Sequence, residues 1–317
     1  MEKISIILVN YNGKSYNDKC IESILKSTIT YELQIVVVDN ASTDGSLQLL
    51  QDRWEESSRV KIIALDKNYG FARANNVGIE WAMENGAEYF LILNNDTEIA
   101  EDAIEKMIDI QKKTGAIVVP KIVYADPPDT IWCAGGSFSK VIWKPVQRGI
   151  NQKDTGQYDQ SMECSFANGC STLLSGNIIR KLGLLDEQFF LYYEDTEYSL
   201  RARQKGVPIW YCAKALIYHK VNGSTMGNEK PDSVYYITRN WLICNRKYME
   251  VRFVFFLCYF IINRLVWLLI WFMKNERGNM AAVAEGIKDY KKVYQGNILK
   301  IVCKGNMFMI YLFELEL

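Results

Sequence analysis

Histidine is nearly absent from this chain: His219 is the only one among 317 residues. A lone histidine is more often structural or exposed than a ligand. Eight cysteines are present, yet none form a Cys-x-x-Cys pair and none stand at zinc-ligand spacing with a histidine. They read as buried or idle thiols of a reducing compartment. Net charge is also missing. Lys+Arg and Asp+Glu each number 37, so the broad basic footprint of a nucleic-acid binder is not expected. Met1 to Val9 hold no long apolar stretch behind a basic region. No cleaved secretory signal is therefore expected, and the working part should face the cytosol. No Gly-x-Gly-x-x-Gly follows the first apolar run, which disfavours a dinucleotide dehydrogenase. The chain shows no internal repeat and no low-complexity tract.

What is present is an alternation. Short apolar runs at Ile4–Val9, Gln34–Asp39, Val60–Leu65 and Tyr89–Leu93 suit strands covered on both faces. Helical spacing falls between them, at Asp18–Ser27, Ser42–Trp54 and Ala72–Glu84. This order predicts an α/β fold with a mostly parallel, doubly wound central sheet. Ligands of such sheets bind beyond the carboxyl ends of the strands. Those ends are polar here: Asn10–Tyr11, Asp39–Asn40, Asp66–Asn68 and Asn94–Asp96. The stretch from Tyr124 to Gln160 is loop-rich and reads as an insertion lining a site. Strand character returns at Ala167–Leu174 and Ile209–Tyr218, and helical character at Gly176–Leu182 and Asp195–Lys205.

Three features carry candidate chemistry. Asn94-Asn95-Asp96 ends an apolar strand in a run of side-chain oxygens, which suits a hard divalent cation and equally suits an Asx turn or helix cap. His219 closes the last strand. Glu194-Asp195 follows the aromatic run Phe189-Phe190-Leu191-Tyr192-Tyr193 and opens a helix. A carboxylate there can serve as a general base, or can simply complement the helix dipole.

Taken together, the stretches Ser5–Asn12, Val37–Ser46, Asn68–Asn76, Leu93–Thr97, Leu185–Arg203 and Ile217–His219 resemble glycosyltransferase family 2, of GT-A fold, in its bacterial rhamnosyltransferase-like branch. The resemblance spans about residues 1 to 245. It implies a catalytic domain over 1–234, with a nucleotide-binding half at about 1–120 and an acceptor half at 121–234. It implies an inverting, metal-dependent transfer of a sugar from a nucleotide diphosphate (dTDP-rhamnose or a UDP-sugar) to a glycan or lipid-linked glycan in surface polysaccharide synthesis. Roles follow by position. Asn10, Tyr11, Asp39, Asn68, Arg73 and Asn95 would bind the nucleotide. Asp96 and His219 would hold Mg²⁺ or Mn²⁺. Asp195 would be the base, with Glu194 beside it. Asn94 departs from the family pattern, since it stands where the first acid of an Asp-x-Asp motif is expected. Trp132, Gly135, Gly136 and Asn168 fall in regions that would face sugar or acceptor, although a core tryptophan is the plainer reading of Trp132. Two other readings remain open: a nucleotidyltransferase, and a membrane-bound scaffold that binds nucleotide sugars without transfer.

From about Tyr235 the chain turns long-helical and very apolar, predicting a membrane-associated or dimerising extension over 235–317. Val251–Met273 is long enough to cross a bilayer. Arg264 interrupts it, and basic residues flank both ends, so helices lying in the cytoplasmic leaflet are preferred over a span. A buried homodimer helix is the alternative. Lys288–Lys292 and Met307–Phe313 would add membrane contact. The expected location is the cytoplasmic face of the bacterial inner membrane, peripheral or monotopic.

Overall fold

The computed structural model describes residues 1–139, 143–220, 230–249 and 253–294. It divides into two compact units, 1–227 and 228–317. Met307–Phe313 and Cys303 lie outside the described residues.

The first unit is built on a ten-stranded sheet. Its first half alternates as the sequence predicts: β1 (Lys3–Asn10), α1 (Asn17–Leu25), β2 (Glu32–Asp39), α2 (Ser46–Trp54), β3 (Val60–Ala64), α3 (Gly70–Glu84) and β4 (Tyr89–Asn94). The order β4-β1-β2-β3 is parallel throughout. Ile4, Ile6 and Leu8 of β1 face one core with Cys20, Ile21 and Ile24 of α1. Ile7 faces the other with Ala72, Ala74 and Ile79 of α3. Each isoleucine or leucine among them taken fully from water stabilises the fold by about 1.5–3 kcal/mol, so a strand apolar on both faces is the stable choice for this run. Gly78 lets α3 close on β1, because a Cβ there would stand 2.6 Å from Ile7 Cγ2. Helix α2 starts at Ser46, later than the Ser-Thr-Asp run predicts. Gly45 is left-handed before it, and Asp44 Oδ1 accepts the Ser46 N–H at 2.9 Å.

The second half adds β5 (Thr97–Ile99), α4 (Ala103–Thr114), β6 (Ile117–Tyr124), β7 (Ile131–Ala134), β8 (Gly136–Phe138), β9 (Pro145–Gln147), β10 (Met162–Cys164), β11 (Ser171–Ser175), α5 (Gly176–Leu182), α6 (Glu194–Gln204) and β12 (Ile209–His219). Strand β11 runs antiparallel between β4 and β6, while β6 and β12 are parallel to each other. The loop-rich insertion therefore contains short strands. Buried Lys121 of β6 pins it to the sheet through Asp154 at 2.8 Å and Asp159 at 2.5 Å. The carboxyl ends of β1, β2, β4, β6 and β12, and the start of β11, lie along one edge of the sheet.

The second unit is helical: α7 (Pro231–Met249), α8 (Phe253–Met273) and α9 (Arg277–Tyr294). Helices α7 and α9 meet closely at Gly286, where a Cβ would stand 2.9 Å from Tyr235 O. Among the described residues α8 is the one helix long and apolar enough to cross a membrane. One stripe of it, Phe253, Phe256, Phe260, Arg264 and Trp271, is buried. Arg264 is turned inward, its guanidinium 5.6 Å from the Trp241 ring and 5.5 Å from the Phe260 ring. The outward arc is uncharged and mostly apolar, with Phe255 72% and Phe272 70% exposed.

Candidate active site

At the carboxyl end of β1, Asn10 is a buried hub. Its Nδ2 faces Asp39 Oδ1 at 2.6 Å, Ser46 Oγ at 2.8 Å and Ser42 Oγ at 3.0 Å. Its Oδ1 accepts from Gly13 N, Asn17 Nδ2 and Asn95 Nδ2 at 3.1, 2.8 and 3.2 Å. Both ends of the amide are thus engaged by protein, although the resemblance implies a place for Asn10 at the nucleotide. Asn95 is drawn the same way, since its Nδ2 also donates to Asn17 Oδ1 at 2.8 Å. Asp39 keeps acceptor capacity: it takes Asn10 and the Ser42 N–H, while a carboxylate has about four lone-pair sites. Tyr11 is exposed beside it. Asn68 Oδ1 accepts from Asn40 Nδ2 and the Gly70 N–H, both at 2.9 Å, which fixes the loop after β3.

Next along the edge stand Asp96 and His219. Strand β5 pairs with β12 so that Thr97 lies opposite His219, and Lys220 N donates to Asp96 O at 2.8 Å. His219 Nε2 is 3.2 Å from Asp96 Oδ1. That oxygen and His219 Nδ1 are both buried without a hydrogen-bond partner among the described residues. An unpaired buried polar atom is costly, and a cation between His219 Nε2 and Asp96 Oδ1 would relieve that cost at the carboxylate oxygen; Nδ1 points elsewhere and is not served by it. Adjacent ligands of an octahedral ion with bonds of 2.0–2.1 Å stand about 3 Å apart, so the spacing fits Mg²⁺ or Mn²⁺. No group of three His, Cys, Asp or Glu side chains gathers there among the described residues. An ion held by this pair would fill its shell with water and phosphate oxygens, as Mg²⁺ commonly does.

Across β11 lies the acid pair. Asp195, in the first turn of α6, accepts the Gly169 N–H at Oδ2 (3.1 Å) and the Thr196 N–H at Oδ1 (2.6 Å). Burial pushes its carboxyl up from the usual range, and these hydrogen bonds pull it partly back. Glu194 Oε2 is buried without a hydrogen-bond partner among the described residues. Burial, with the neighbouring Asp195 charge, pushes Glu194 up to about 8. Both carboxyls are thus held above the usual range, Glu194 chiefly by burial and by the charge of Asp195. The chain arrives through Tyr192 and Tyr193, both left-handed with φ of 63° and 76°. Such backbone costs on the order of 1–3 kcal/mol per residue and is held only where its surroundings over-determine it.

The family model for glycosyl transferase family 2 matches residues 5–183, more than half of the chain. The chain belongs to that family. A hexosyltransferase of low-salt glycan biosynthesis, Agl10 of Haloferax volcanii, is 29% identical over 76% of this chain and 74% of its own. The dTDP-rhamnosyl transferase RfbF of Shigella flexneri is 26% identical over 77% and 80%. Among solved structures, GalNAc-T7 with UDP, GalNAc and Mn²⁺ superposes with a TM-score of 0.60 at 16% identity, over 75% of this chain. Residues 1–349 of S. aureus TarS with UDP give 0.52 at 18%, over 76%. This chain spans 48% and 65% of those two structures. They show the GT-A fold.

In this glycosyltransferase several predicted side chains face protein instead. Arg73, expected at the diphosphate, donates to Glu187 Oε1 at 3.0 Å and lies 3.7 Å from Glu80. Trp132 packs edge-on against His219, ring centroids 4.6 Å apart, so its contact is the candidate metal ligand. Gly135 is left-handed, and its Cβ would meet Tyr211 at 3.1 Å. A Cβ at Gly136 would meet Phe166 at 2.6 Å. Both glycines permit close strand packing. Asn168 Oδ1 caps the Cys170 N–H at 2.8 Å. Two positioning residues, Asn17 and Gly169, carry no signal in the sequence, yet they hold Asn10 and Asp195; Asn40, at a polar strand end, holds Asn68. None stands in a pattern that betrays its partner.

Proposed function

We propose that this glycosyltransferase inverts configuration at the anomeric carbon in one displacement, with Asp195 as base and a divalent cation at Asp96 and His219. The observation that supports it best is a chain of backbone contacts along one edge. Asp195 accepts from Gly169, and the next residue, Cys170, accepts the Asn94 N–H at 2.9 Å, two residues before Asp96. Base and cation pair thus flank one strand end. Asp195 takes the proton of the acceptor hydroxyl as its oxygen bonds to the anomeric carbon, and the bond from that carbon to the diphosphate oxygen breaks. Bound Mg²⁺ or Mn²⁺ would stabilise charge on the leaving diphosphate. Glu194, held toward its neutral form by burial and by the Asp195 charge, leaves Asp195 as the acceptor. Residues 1–120 hold the nucleotide, chiefly through Asp39, Tyr11 and the Asn68 loop. Residues 121–234 form the acceptor side.

The donor we infer is a dTDP- or UDP-hexose, with dTDP-rhamnose first, as RfbF's name points to rhamnose and Agl10's to a hexose. The acceptor is a glycan, lipid-linked, of a bacterial surface polysaccharide. The apolar arc of α8 supports work at the cytoplasmic membrane surface, with the helix in the leaflet. Incubating dTDP-rhamnose and UDP-hexoses with membrane extract and Mn²⁺, and reading the product's anomeric configuration by NMR, tests the proposal. A product that keeps the donor's configuration would refute single displacement.

A further inference from the structure

Helix α3 begins at the Asn68 loop, and its first two turns grip the segment that leads into α6. Asn76 is 1% exposed. Its Nδ2 donates to the Leu185 carbonyl at 2.9 Å, and its Oδ1 accepts the Leu185 N–H at 3.0 Å. This is a two-way pair of the kind one strand makes with another. The same Nδ2 reaches Glu187 Oε1 at 3.0 Å, the oxygen that also takes Arg73 Nη1 at 3.0 Å. One turn earlier, the Phe71 N–H donates to Phe190 O at 2.8 Å. Gly70 makes room for that carbonyl, since a Cβ there would stand 2.3 Å from it. Residues 185, 187 and 190 are thus tied to α3 just ahead of the two left-handed tyrosines. Beyond them, α6 is held by its own contacts, among them Ser199 Oγ, which accepts the Ala167 N–H at 3.0 Å.

We propose that Asn76, Arg73 and Glu187 form a positioning clamp that sets the Asp195 carboxylate in place through the 185–193 segment, and that Arg73 works there and not on the donor diphosphate. The inference rests on Asp195 being the base. The physical reason is strain. Two uphill backbone conformations in a row hold their geometry only if both flanks are anchored, and the clamp is the upstream anchor. Proton transfer and in-line attack tolerate little displacement, a shift of about 1 Å costing on the order of a hundredfold. The Asn40–Asn68 pair meets α3 only at Gly70, and Arg73 and Glu187 bond to each other, Glu80 and Asn76 rather than to Asp39, Asn40 or Asn68, so removing either side chain leaves the nucleotide-holding contacts in place.

Arg73→Met and Glu187→Ala remove partly exposed side chains and keep the fold. Each is made in the wild-type and Asp195→Asn backgrounds. Turnover is measured alongside calorimetric affinity for UDP or dTDP with Mn²⁺, whichever the enzyme binds. In wild type each lowers kcat about tenfold or more, with nucleotide affinity held within about twofold. In the Asp195→Asn background the residual rate does not fall further, the non-additivity of groups acting through one another. Weakened nucleotide affinity with kcat preserved would put Arg73 on the diphosphate and overturn the clamp. So would an equal loss in both backgrounds. Unchanged kcat in an enzyme that needs Asp195 overturns the clamp alone, whereas full activity of Asp195→Asn overturns the base assignment and the clamp with it.

Discussion

The Gly169 N–H points at Asp195 Oδ2 from 3.1 Å. That bond ties the first turn of α6 to the start of β11, the strand lying between β4 and β6. It orients one carboxylate oxygen, and the Thr196 N–H orients the other. A carboxylate so held has lost rotational freedom before any substrate binds, which is what a general base requires.

Asp195→Asn keeps the shape and removes the proton acceptor. Turnover should fall about 10²–10⁴-fold, the usual contribution of one positioned base, while calorimetry shows unchanged affinity for the nucleotide. Equal loss of both would make Asp195 a structural residue.

Glu194 makes stability pH-dependent. Its folded value is raised from 4.5 to about 8. Below the unfolded value both states are protonated and the group costs nothing. As pH rises toward 8 the unfolded chain ionises and the folded one resists, so stability falls by up to a few kcal/mol across that window. Glu194→Gln should therefore raise Tm at pH 8 and leave it unchanged at pH 4. Thermal scans at the two pH values decide this; an equal effect at both would mean that Glu194 titrates alike in the folded and unfolded chain.

Asp96→Ala and His219→Ala test the cation pair. Each should weaken Mn²⁺-supported nucleotide binding by about tenfold or more, the range that even outer-shell partners of metal ligands reach. Binding in EDTA should hardly differ from wild type. Affinity indifferent to either change would take that residue out of the shell.

Much of this was readable beforehand, and the exceptions share a cause. Strands β1, β2 and β4 are apolar on both faces, so their existence and their polar ends show in the residues alone. Strand direction does not, and β11 runs against its neighbours. Strand β6 is disguised by Pro120, which is tolerated because the pairing with β12 slips just after Cys212, its partner. At the site, residue type was visible but partners were not. Arg73 looks like a phosphate ligand until Glu187, 114 positions away, is seen beside it. Asn10 stands at the right strand end, yet its amide meets Asp39 and Ser46, 29 and 36 positions away.

The apolar arc of α8 yields the last prediction. Arg264 lies under Trp241 and Phe260, so the outward surface carries no charge while Lys274 and Arg277 follow it closely. A surface of this kind binds where apolar area and anionic headgroups coincide. The wild-type chain should float with vesicles containing anionic lipid. Phe255→Asp with Leu265→Asp should abolish flotation, because a charge at each site faces outward and cannot be folded inward as Arg264 is. Light scattering distinguishes the alternative: were this arc the seam of a homodimer, the double variant would become monomeric while the wild type stayed dimeric without lipid and failed to float.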